Sequence, residues 1–302
     1  MRLGFEHPEA LALLVLFAAA VFLLQRSRFN RRRIQRFFDV SISRLNYLLE
    51  AARITALLCL VLAAAVPYVE YTVKRQVPFD GLSELSGKKV LHLIVVDVSR
   101  SMTYPLGLST RFNVAKDLLE KYLQSLGGGD LVHLVVFSSS ARPICQGAAF
   151  KCIKALKGLE AGERYTALGD AILYASSVAR VSAMPTVVVL VSDGVNNYGS
   201  DPLQVAESLK EENLPVVLVA VGDYGVLPRV AETLGSKLFT VDEFSLEAVK
   251  SLAARVAAEA RYSALLARGE AYVEEARRSY LPTHVLLAAA FLMILATLID
   301  GV

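Results

Sequence analysis

Apolar residues form two different patterns in the middle of the chain. Residues 90–96 and 186–191 are nearly continuous apolar, β-branched runs, which are typical of strands covered on both faces. Residues 111–126 and 167–181 instead repeat their apolar side chains at a helical period. Strands and helices in alternation predict an α/β fold, a doubly wound and mostly parallel sheet with right-handed crossovers and helices on both faces.

The same reasoning extends the pattern over a predicted domain at residues 85–250. Further strands are predicted at residues 131–137, 215–221 and 237–240, with a short antiparallel edge strand at 141–144. Further helices are predicted at residues 202–213 and 228–234. From residue 251 to 280 the pattern stays helical, which predicts a helical stalk.

Three long apolar stretches lie outside this domain, at residues 10–24, 54–69 and 281–299. A transmembrane helix needs about 20 apolar residues, and the third stretch meets that length. The first two are shorter and would need snorkelling side chains or a thinner bilayer. We predict three transmembrane helices, two within residues 1–70 and one within residues 281–302, with buried core helices as the alternative.

Arginines are concentrated between the first two apolar stretches. They are Arg26, Arg28, Arg31, Arg32, Arg33, Arg36, Arg44 and Arg53, against only two acidic residues, Asp39 and Glu50. Such short basic loops stay in the cytoplasm, which predicts that the central domain lies outside the cell membrane. Residues 80–280 carry 21 basic and 23 acidic side chains, so no nucleic-acid partner is expected. A cytoplasmic domain is the alternative topology.

Cysteine usage leaves one question open. Cys59 lies in the second apolar stretch, whereas Cys145 and Cys152 are seven residues apart in the predicted domain. Outside the cytosol these two could form a disulfide, and otherwise they are two packed thiols, because spacing alone does not supply the geometry.

Oxygen-bearing side chains follow two of the predicted buried strands. Asp97, Ser99 and Ser101 alternate directly after the first strand, Thr166 lies in a loop before a helix, and Asp193 follows a later strand. Parallel strands bring such ends to one edge of the sheet, where open α/β folds bind their ligands. Carboxylate and hydroxyl oxygens suit a hard divalent cation, so these five residues form the predicted metal site.

With these residues in place, the chain resembles a known family. Asp97-x-Ser99-x-Ser101 with Thr166 and Asp193 is similar to the metal-ion-dependent adhesion site (MIDAS) of von Willebrand factor A domains, and the resemblance covers roughly residues 88–250. It implies a MIDAS that holds Mg²⁺ or Mn²⁺. One departure is that the loop before Thr166, where relatives usually have glycines, contains Glu163-Arg164-Tyr165.

The arrangement of membrane stretches around the domain also resembles that of Bat-type proteins. These are prokaryotic membrane-anchored A-domain proteins, named for aerotolerance and linked with MoxR-type AAA+ ATPases. The resemblance implies a multi-pass cell-membrane protein that assembles or maintains an envelope complex. It also implies sister A-domain proteins and such an ATPase as partners.

The ligand chemistry predicts how a protein partner would bind. Two acids do not over-neutralise a dication and hydroxyls donate weakly, so the ion retains affinity for a further carboxylate, supplied by another protein. Four residues near the predicted opening are the expected partner-binding rim. They are Arg100, Met102, Tyr165 and Asn196.

Catalysis is not expected from these residues. The four histidines lie within predicted strands or beside membrane stretches, and neither Ser99 nor Ser101 has an identifiable histidine base. Phosphate-binding glycine motifs are absent from the sequence. Two alternatives remain beside the binding module: a structural scaffold that uses the metal only for folding and, less favoured, a metal-dependent hydrolase.

Overall fold

A computed structural model of the chain describes residues 2–23, 26, 44–242 and 245–299. The chain divides into two compact units. One contains Met1–Arg75 and Glu274–Val302, and the other contains Gln76–Val273. Most of the predicted basic loop falls on residues 27–43, outside the described residues.

The elements are numbered in chain order. The strands are β1 (Arg2–Phe5), β2 (Pro67–Gln76), β3 (Leu91–Asp97), β4 (Pro105–Leu106), β5 (Ser109–Thr110), β6 (Leu131–Phe137), β7 (Ala141–Ala148), β8 (Thr186–Ser192), β9 (Val216–Val221), β10 (Lys237–Val241) and β11 (Tyr272–Ser279). The α-helices are α1 (Arg44–Ala64), α2 (Arg111–Ser125), α3 (Ala149–Lys157), α4 (Leu168–Val181), α5 (Pro202–Leu209), α6 (Leu227–Leu234), α7 (Leu246–Ala267) and α8 (Leu281–Ile299). Short 3₁₀ turns occur at Pro8–Ala12, Phe79–Leu85, Arg100–Thr103 and Lys210–Glu212.

A six-stranded sheet forms the centre of the larger unit, in the order β10-β9-β8-β3-β6-β7. The neighbouring strands from β10 to β6 are parallel, and β7 is antiparallel to β6. The predicted α/β fold with a mostly parallel sheet is confirmed. The predicted antiparallel edge strand is also confirmed, although it extends to Ala148.

Helices cover both faces of this sheet because the strand side chains alternate between two cores. Ile94 and Val96 of β3 pack with residues of α2, α3 and α7 on one face. Leu93 and Val95 point to the other face, where they join residues of α4, α5 and α6. All seven residues of β3 are buried, which is the environment that its continuous apolar sequence predicts.

The strand order determines where a ligand site can lie. After β3 the chain adds β6 on one side and later returns to place β8 on the other side. Strand order therefore reverses next to β3, at the kind of switch point where α/β sheets open a crevice beyond their carboxyl ends. The residues that follow β3 and β8 meet at this edge.

The predicted helical stalk at residues 251–280 is wrong in its second half. Helix α7 ends at Ala267, and Gly269 follows with a φ of 68°, a left-handed conformation that commonly terminates helices. The N–H groups of Glu270 and Ala271 turn back to the Leu265 carbonyl. Residues 272–279 then form β11.

The smaller unit contains a three-stranded sheet in the order β1-β2-β11, together with helical residues 8–23 and helices α1 and α8. Helices α1 and α8 pack against each other. By length and composition, one helix in the described part of the chain is suited to cross a membrane, at Leu281–Leu298. The helix Pro8–Leu23 is apolar but shorter. Three membrane spans therefore stay a prediction.

The two cysteines of the larger unit are joined. Cys145 of β7 and Cys152 of α3 form a disulfide, with their Cα atoms 5.5 Å apart. The pairing links the edge strand to the helix that follows it, and Cys152 is fully buried. Of the two possibilities left open by the sequence, the structure contains the bridge. Cys59 is a free thiol.

Candidate metal centre at the carboxyl edge of the sheet

Asp97 is the last residue of β3, and its carboxylate is fully buried. Its Oδ1 accepts a hydrogen bond from the Ser99 backbone N–H at 2.9 Å, and its Oδ2 accepts one from the Ser192 hydroxyl at 2.7 Å. Burial raises the pKa of Asp97 to about 6. The hydrogen bonds from Ser99 and Ser192 oppose this increase, and the negative charge of Asp193 adds to it. The carboxylate is thus held by its own turn and by the adjacent strand β8.

The two serines after Asp97 lie side by side. Ser99 Oγ and Ser101 Oγ are 3.1 Å apart, because the 3₁₀ turn at Arg100–Thr103 reverses the chain between them. Two adjacent ligands at 2.1 Å from an octahedral Mg²⁺ are separated by about 3 Å. The serine hydroxyls therefore have the separation that two ligands of one such ion require.

The loop that carries Thr166 is bonded to the same turn. The N–H groups of Gly162 and Glu163 donate to the Val98 carbonyl at 3.0 and 3.1 Å, and the Arg100 N–H donates to the Glu163 carbonyl at 2.8 Å. Ser99 and Glu163 form a parallel β-bridge. These backbone contacts bring the Thr166 loop to the Asp97 turn, and Thr166 itself is buried.

One of the charged residues that replace the expected glycines, Glu163, has a defined role in this loop. The Glu163 carboxylate accepts hydrogen bonds from the Ser138 hydroxyl and from the Arg142 guanidinium. The bonds from Arg142 are the main reason that the pKa of Glu163 is lowered. Glu163, which stands where relatives usually have a glycine, therefore fixes the Thr166 loop to Ser138 and Arg142.

Asp193 lies one residue beyond β8 and is fully buried. Its Oδ1 accepts from the Val195 N–H at 3.2 Å. The two asparagines that follow connect this loop to Thr166. Asn197 Oδ1 accepts from the Thr166 N–H at 2.8 Å, and Asn196 Oδ1 accepts from the Leu168 N–H at 2.8 Å. The loops carrying Asp193 and Thr166 are thus directly bonded.

Arg111 is a site residue that the sequence reasoning missed. It begins α2, where it donates from Nη1 to Asp193 Oδ2 at 3.0 Å and from Nη2 to Asp223 Oδ2 at 2.6 Å. Its Nε is buried without a hydrogen-bond partner among the described residues. The sequence offers only a weak signal for Arg111, because a cation in the first turn of a helix is unfavourable to the helix dipole and gains from a nearby anion.

The four residues of the predicted rim do not share one environment. Arg100 and Tyr165 are exposed, and their place in a partner-binding rim stays a prediction. Met102 is fully buried in the hydrophobic core, so its assignment to the rim is wrong; the 3₁₀ turn directs its apolar side chain inward. Asn196 is partly buried, and its side chain supports the loops of the site.

The donor set fits a divalent cation. Within the described residues no group of three or more His, Cys, Asp or Glu side chains is placed to hold a metal, and the candidate centre is of a different kind. It combines two buried carboxylates, Asp97 and Asp193, with the hydroxyls of Ser99, Ser101 and Thr166. All five side chains carry hard oxygen donors, which suit Mg²⁺ or Mn²⁺ better than softer metals.

No histidine of the larger unit is near this edge. His92 is the second residue of β3, about 17 Å along the strand from Asp97 at 3.3 Å per residue. It is buried, and its Nδ1 lies 2.6 Å from the Tyr122 hydroxyl. His133 pairs with Leu93 in the sheet register, at a similar depth. Neither imidazole is placed to act as a base for Ser99 or Ser101.

Several solved structures are similar to part of this chain. BatB from Bacteroides thetaiotaomicron is 20% identical, with 58% of this chain and 100% of that chain covered and a TM-score of 0.48. An aerotolerance-related membrane protein from Bacteroides fragilis, with multiple mutations to serines, is 20% identical, with coverages of 58% and 99% and a TM-score of 0.49. A D319A mutant of the PilB minor pilin from Streptococcus sanguinis is 14% identical, with coverages of 60% and 63% and a TM-score of 0.48.

No curated protein matches the chain at a significant level. The family comparison is decisive, because the model of the von Willebrand factor type A domain matches residues 93–254, more than half of the chain. The matched segment contains all five predicted metal ligands and the central strands of the sheet. The chain therefore belongs to the von Willebrand factor type A domain family.

Proposed function

We propose that this protein is a non-enzymatic, membrane-anchored binding module that captures a protein partner through a carboxylate bound to Mg²⁺ or Mn²⁺. Asp97, Ser99, Ser101, Thr166 and Asp193 hold the ion. The observation that carries the proposal is the turn after β3. There, Ser99 Oγ and Ser101 Oγ lie 3.1 Å apart beside the Asp97 carboxylate, which is bonded to the strand leading to Asp193.

The balance of charge supports an open site. When bound, the ion supplies a Lewis-acidic position for an additional oxygen. Asp193 already shares its carboxylate with Arg111, so the protein offers the ion less than two full negative charges. Hydroxyl ligands add none. An incoming Asp or Glu side chain therefore gains a strong electrostatic contact at the edge of the sheet.

The proposed location is the outer face of the cell membrane, with three spans and the basic loop in the cytoplasm. Helix α8 supports anchoring, and the Cys145–Cys152 disulfide supports an oxidising compartment for the domain. We further propose a role in assembling or maintaining an envelope complex. Sister A-domain proteins and a MoxR-type ATPase are the proposed partners, on the strength of the resemblance to Bat-type proteins.

Removal of the metal tests the proposed capture. The full-length protein in detergent is expected to bind one Mn²⁺, followed by electron paramagnetic resonance, and to capture partners from membrane extracts in Mg²⁺ but not in EDTA. Thr166→Ala removes one hydroxyl ligand and is expected to weaken both activities at least about tenfold, while the melting temperature stays unchanged.

The matched control is Thr233→Ala, which removes a hydroxyl bonded to the Arg229 carbonyl on α6. It is expected to bind Mn²⁺ like the unmodified protein. Thr166→Ala distinguishes the binding module from a structural scaffold: a lower melting temperature with unchanged capture supports the scaffold. Hydrolytic turnover that disappears in EDTA and in Asp193→Ala would instead establish a hydrolase.

The disulfide provides a test of topology. Intact cells are denatured in a mass-adding maleimide, with or without prior reduction, and the tags per chain are counted. With the domain outside the cytoplasm, only Cys59 is expected to react before reduction, and all three cysteines after it. Cys59 serves as the internal control for labelling. Reaction of all three cysteines without reduction would contradict the proposed placement.

A further inference from the structure

Two arginines lie next to the turn that carries the candidate ligands. Ser99 and Glu163 are paired in a parallel bridge, so the next residues, Arg100 and Arg164, occupy neighbouring backbone positions. Both side chains are exposed. Among the described residues neither guanidinium forms an ion pair or a hydrogen bond. We call Arg100 and Arg164 the arginine pair.

Two acidic residues near the arginine pair, Glu163 and Asp193, are bound to other groups. Glu163 lies beside Arg164 but binds Ser138 and Arg142. Asp193 is buried and binds Arg111. The arginine pair therefore places two exposed positive charges beside the candidate metal centre, whereas the exposed carboxylate of Asp223 at this edge is paired with Arg111.

Two exposed tyrosines extend the same surface. The rings of Tyr165 and Tyr198 pack with their centroids 5.1 Å apart, and their exposed fractions are 53% and 51%. Both adjoin Thr166, because Tyr165 precedes it in the chain and the Tyr198 N–H donates to its carbonyl. We call Tyr165 and Tyr198 the tyrosine pair.

The backbone at Tyr165 is strained. Its φ is 67°, a left-handed conformation that costs a bulky residue free energy and is found at functional sites when the surrounding structure enforces it. In this conformation the loop keeps an aromatic ring exposed next to a buried ligand. A glycine, which adopts this φ without strain, would supply no ring.

We infer that this surface selects an acidic peptide segment. One carboxylate of the segment reaches the metal, a second carboxylate contacts the arginine pair, and an aromatic side chain packs on the tyrosine pair. The inference rests on the proposed function and adds the chemistry of the partner to it. Charge complementarity carries it, since two uncompensated guanidinium groups favour carboxylates beyond the one that the ion requires.

Fluorescence anisotropy of labelled peptides tests the inference. The probes share a Gly-Ser background and contain one Glu, two Glu, or two Glu with one Phe, and the full-length protein is used in detergent with Mg²⁺. The second Glu is expected to increase affinity about two- to fivefold per arginine contacted. The Phe is expected to increase it a further twofold to tenfold, about the gain of an aromatic pair.

Variants assign these gains to residues. Arg100→Ala and Arg164→Ala are each expected to reduce the gain from the second Glu while leaving Mg²⁺-dependent binding of the one-Glu peptide intact. Tyr198→Ala is expected to remove the gain from Phe. The matched control is Lys210→Ala, which removes an exposed positive charge between α5 and β9, at the amino end of the strands. It is expected to change none of these affinities.

The outcomes separate the inference from the proposed function. If the one-Glu peptide binds only in Mg²⁺ but neither the second Glu nor Phe adds affinity, the inference fails and the proposed function stands. If no peptide binds in a Mg²⁺-dependent way, both fail. If polygalacturonate or an oligonucleotide binds more tightly than the two-Glu peptide, and with the same dependence on the arginine pair, the peptide assignment is overturned.

Discussion

Replacing Asp130 with alanine is expected to lower the free energy of unfolding by about 3 to 5 kcal/mol, because it leaves a partly buried arginine without its counter-ion and a buried backbone N–H without its acceptor. Arg261 donates from Nη1 to both Asp130 oxygens, at 2.7 and 2.6 Å. The same carboxylate accepts from the Val90 N–H and the Gly127 N–H, each at 3.1 Å. These bonds connect α7, the start of β3 and the end of α2, so their loss weakens three elements at once.

The effect has a defined pH dependence. Burial acts to raise the pKa of Asp130, but the His92 imidazole, the Arg261 guanidinium and the Val90 N–H hold the pKa below its ordinary value. Because the folded-state pKa is lowered, the stabilisation is fully present above the unfolded-state pKa of about 3.9 and is lost as the pH falls through the folded-state value. The difference between the unmodified protein and Asp130→Ala therefore shrinks at acid pH.

Urea denaturation of the purified protein in detergent, followed by tyrosine fluorescence, measures this difference at neutral and acid pH. Asp80→Ala is the matched control, since Asp80 is exposed. It is expected to change stability by no more than about 0.5 kcal/mol. A loss below about 1 kcal/mol in Asp130→Ala at neutral pH would show that the buried network adds little to stability.

Gly194→Ala is expected to destabilise the protein by about 3 kcal/mol and to disrupt the candidate metal centre, because the position is both strained and crowded. Its φ is 76°, and an added Cβ would lie 2.1 Å from the Tyr224 carbonyl oxygen. Gly225 is equally close from the other side, since its Cβ would lie 2.0 Å from the Gly194 carbonyl oxygen. The loops after β8 and β9 therefore contact each other backbone to backbone. The methyl group of an alanine at either position would push the two loops apart.

Gly194 directly follows Asp193, so separation of the loops moves a proposed ligand. Urea denaturation and Mn²⁺ binding are the two measurements. The stability and the Mn²⁺ affinity of Gly194→Ala are both expected to be lower than those of the unmodified protein. Gly128→Ala is the matched control, because an added Cβ there has no neighbour within 4 Å. If Gly194→Ala unfolds and binds Mn²⁺ like Gly128→Ala, the close contact between the loops is not important for the site.

Much of the fold was predictable because strands that are buried on both faces consist of continuous apolar residues. β3 and β8 are covered on both faces, and their continuous apolar runs predicted central parallel strands. The strands β1, β2 and β11 escaped prediction. They are partly exposed and lack such a run, and β11 was taken for the continuation of a helix. The ending of that helix depends on Gly269, whose left-handed conformation a helical period does not reveal.

The candidate site also contains residues that were predictable from the sequence and residues that were not. Asp97, Ser99 and Ser101 are close in sequence, so their convergence in one turn was predictable from spacing. The roles of Arg111 and Asp130 were not, because their partners Asp193 and Arg261 are 82 and 131 residues away. Met102 was wrongly assigned to the rim. It is adjacent to Ser101 in sequence, but its side chain is buried in the hydrophobic core.

By itself, the sequence determined the α/β domain, the mostly parallel sheet and the identity of the candidate ligands, since these depend on local periodicity and residue chemistry. Only the tertiary structure decided that the Cys145–Cys152 disulfide forms, that Arg111 shares the Asp193 carboxylate, and that Ser99 and Glu163, the residues before Arg100 and Arg164, pair in a β-bridge. The physical reason is that pairing of charges and thiols depends on distances between segments remote in the chain, which are set when the loops pack at the edge of the sheet.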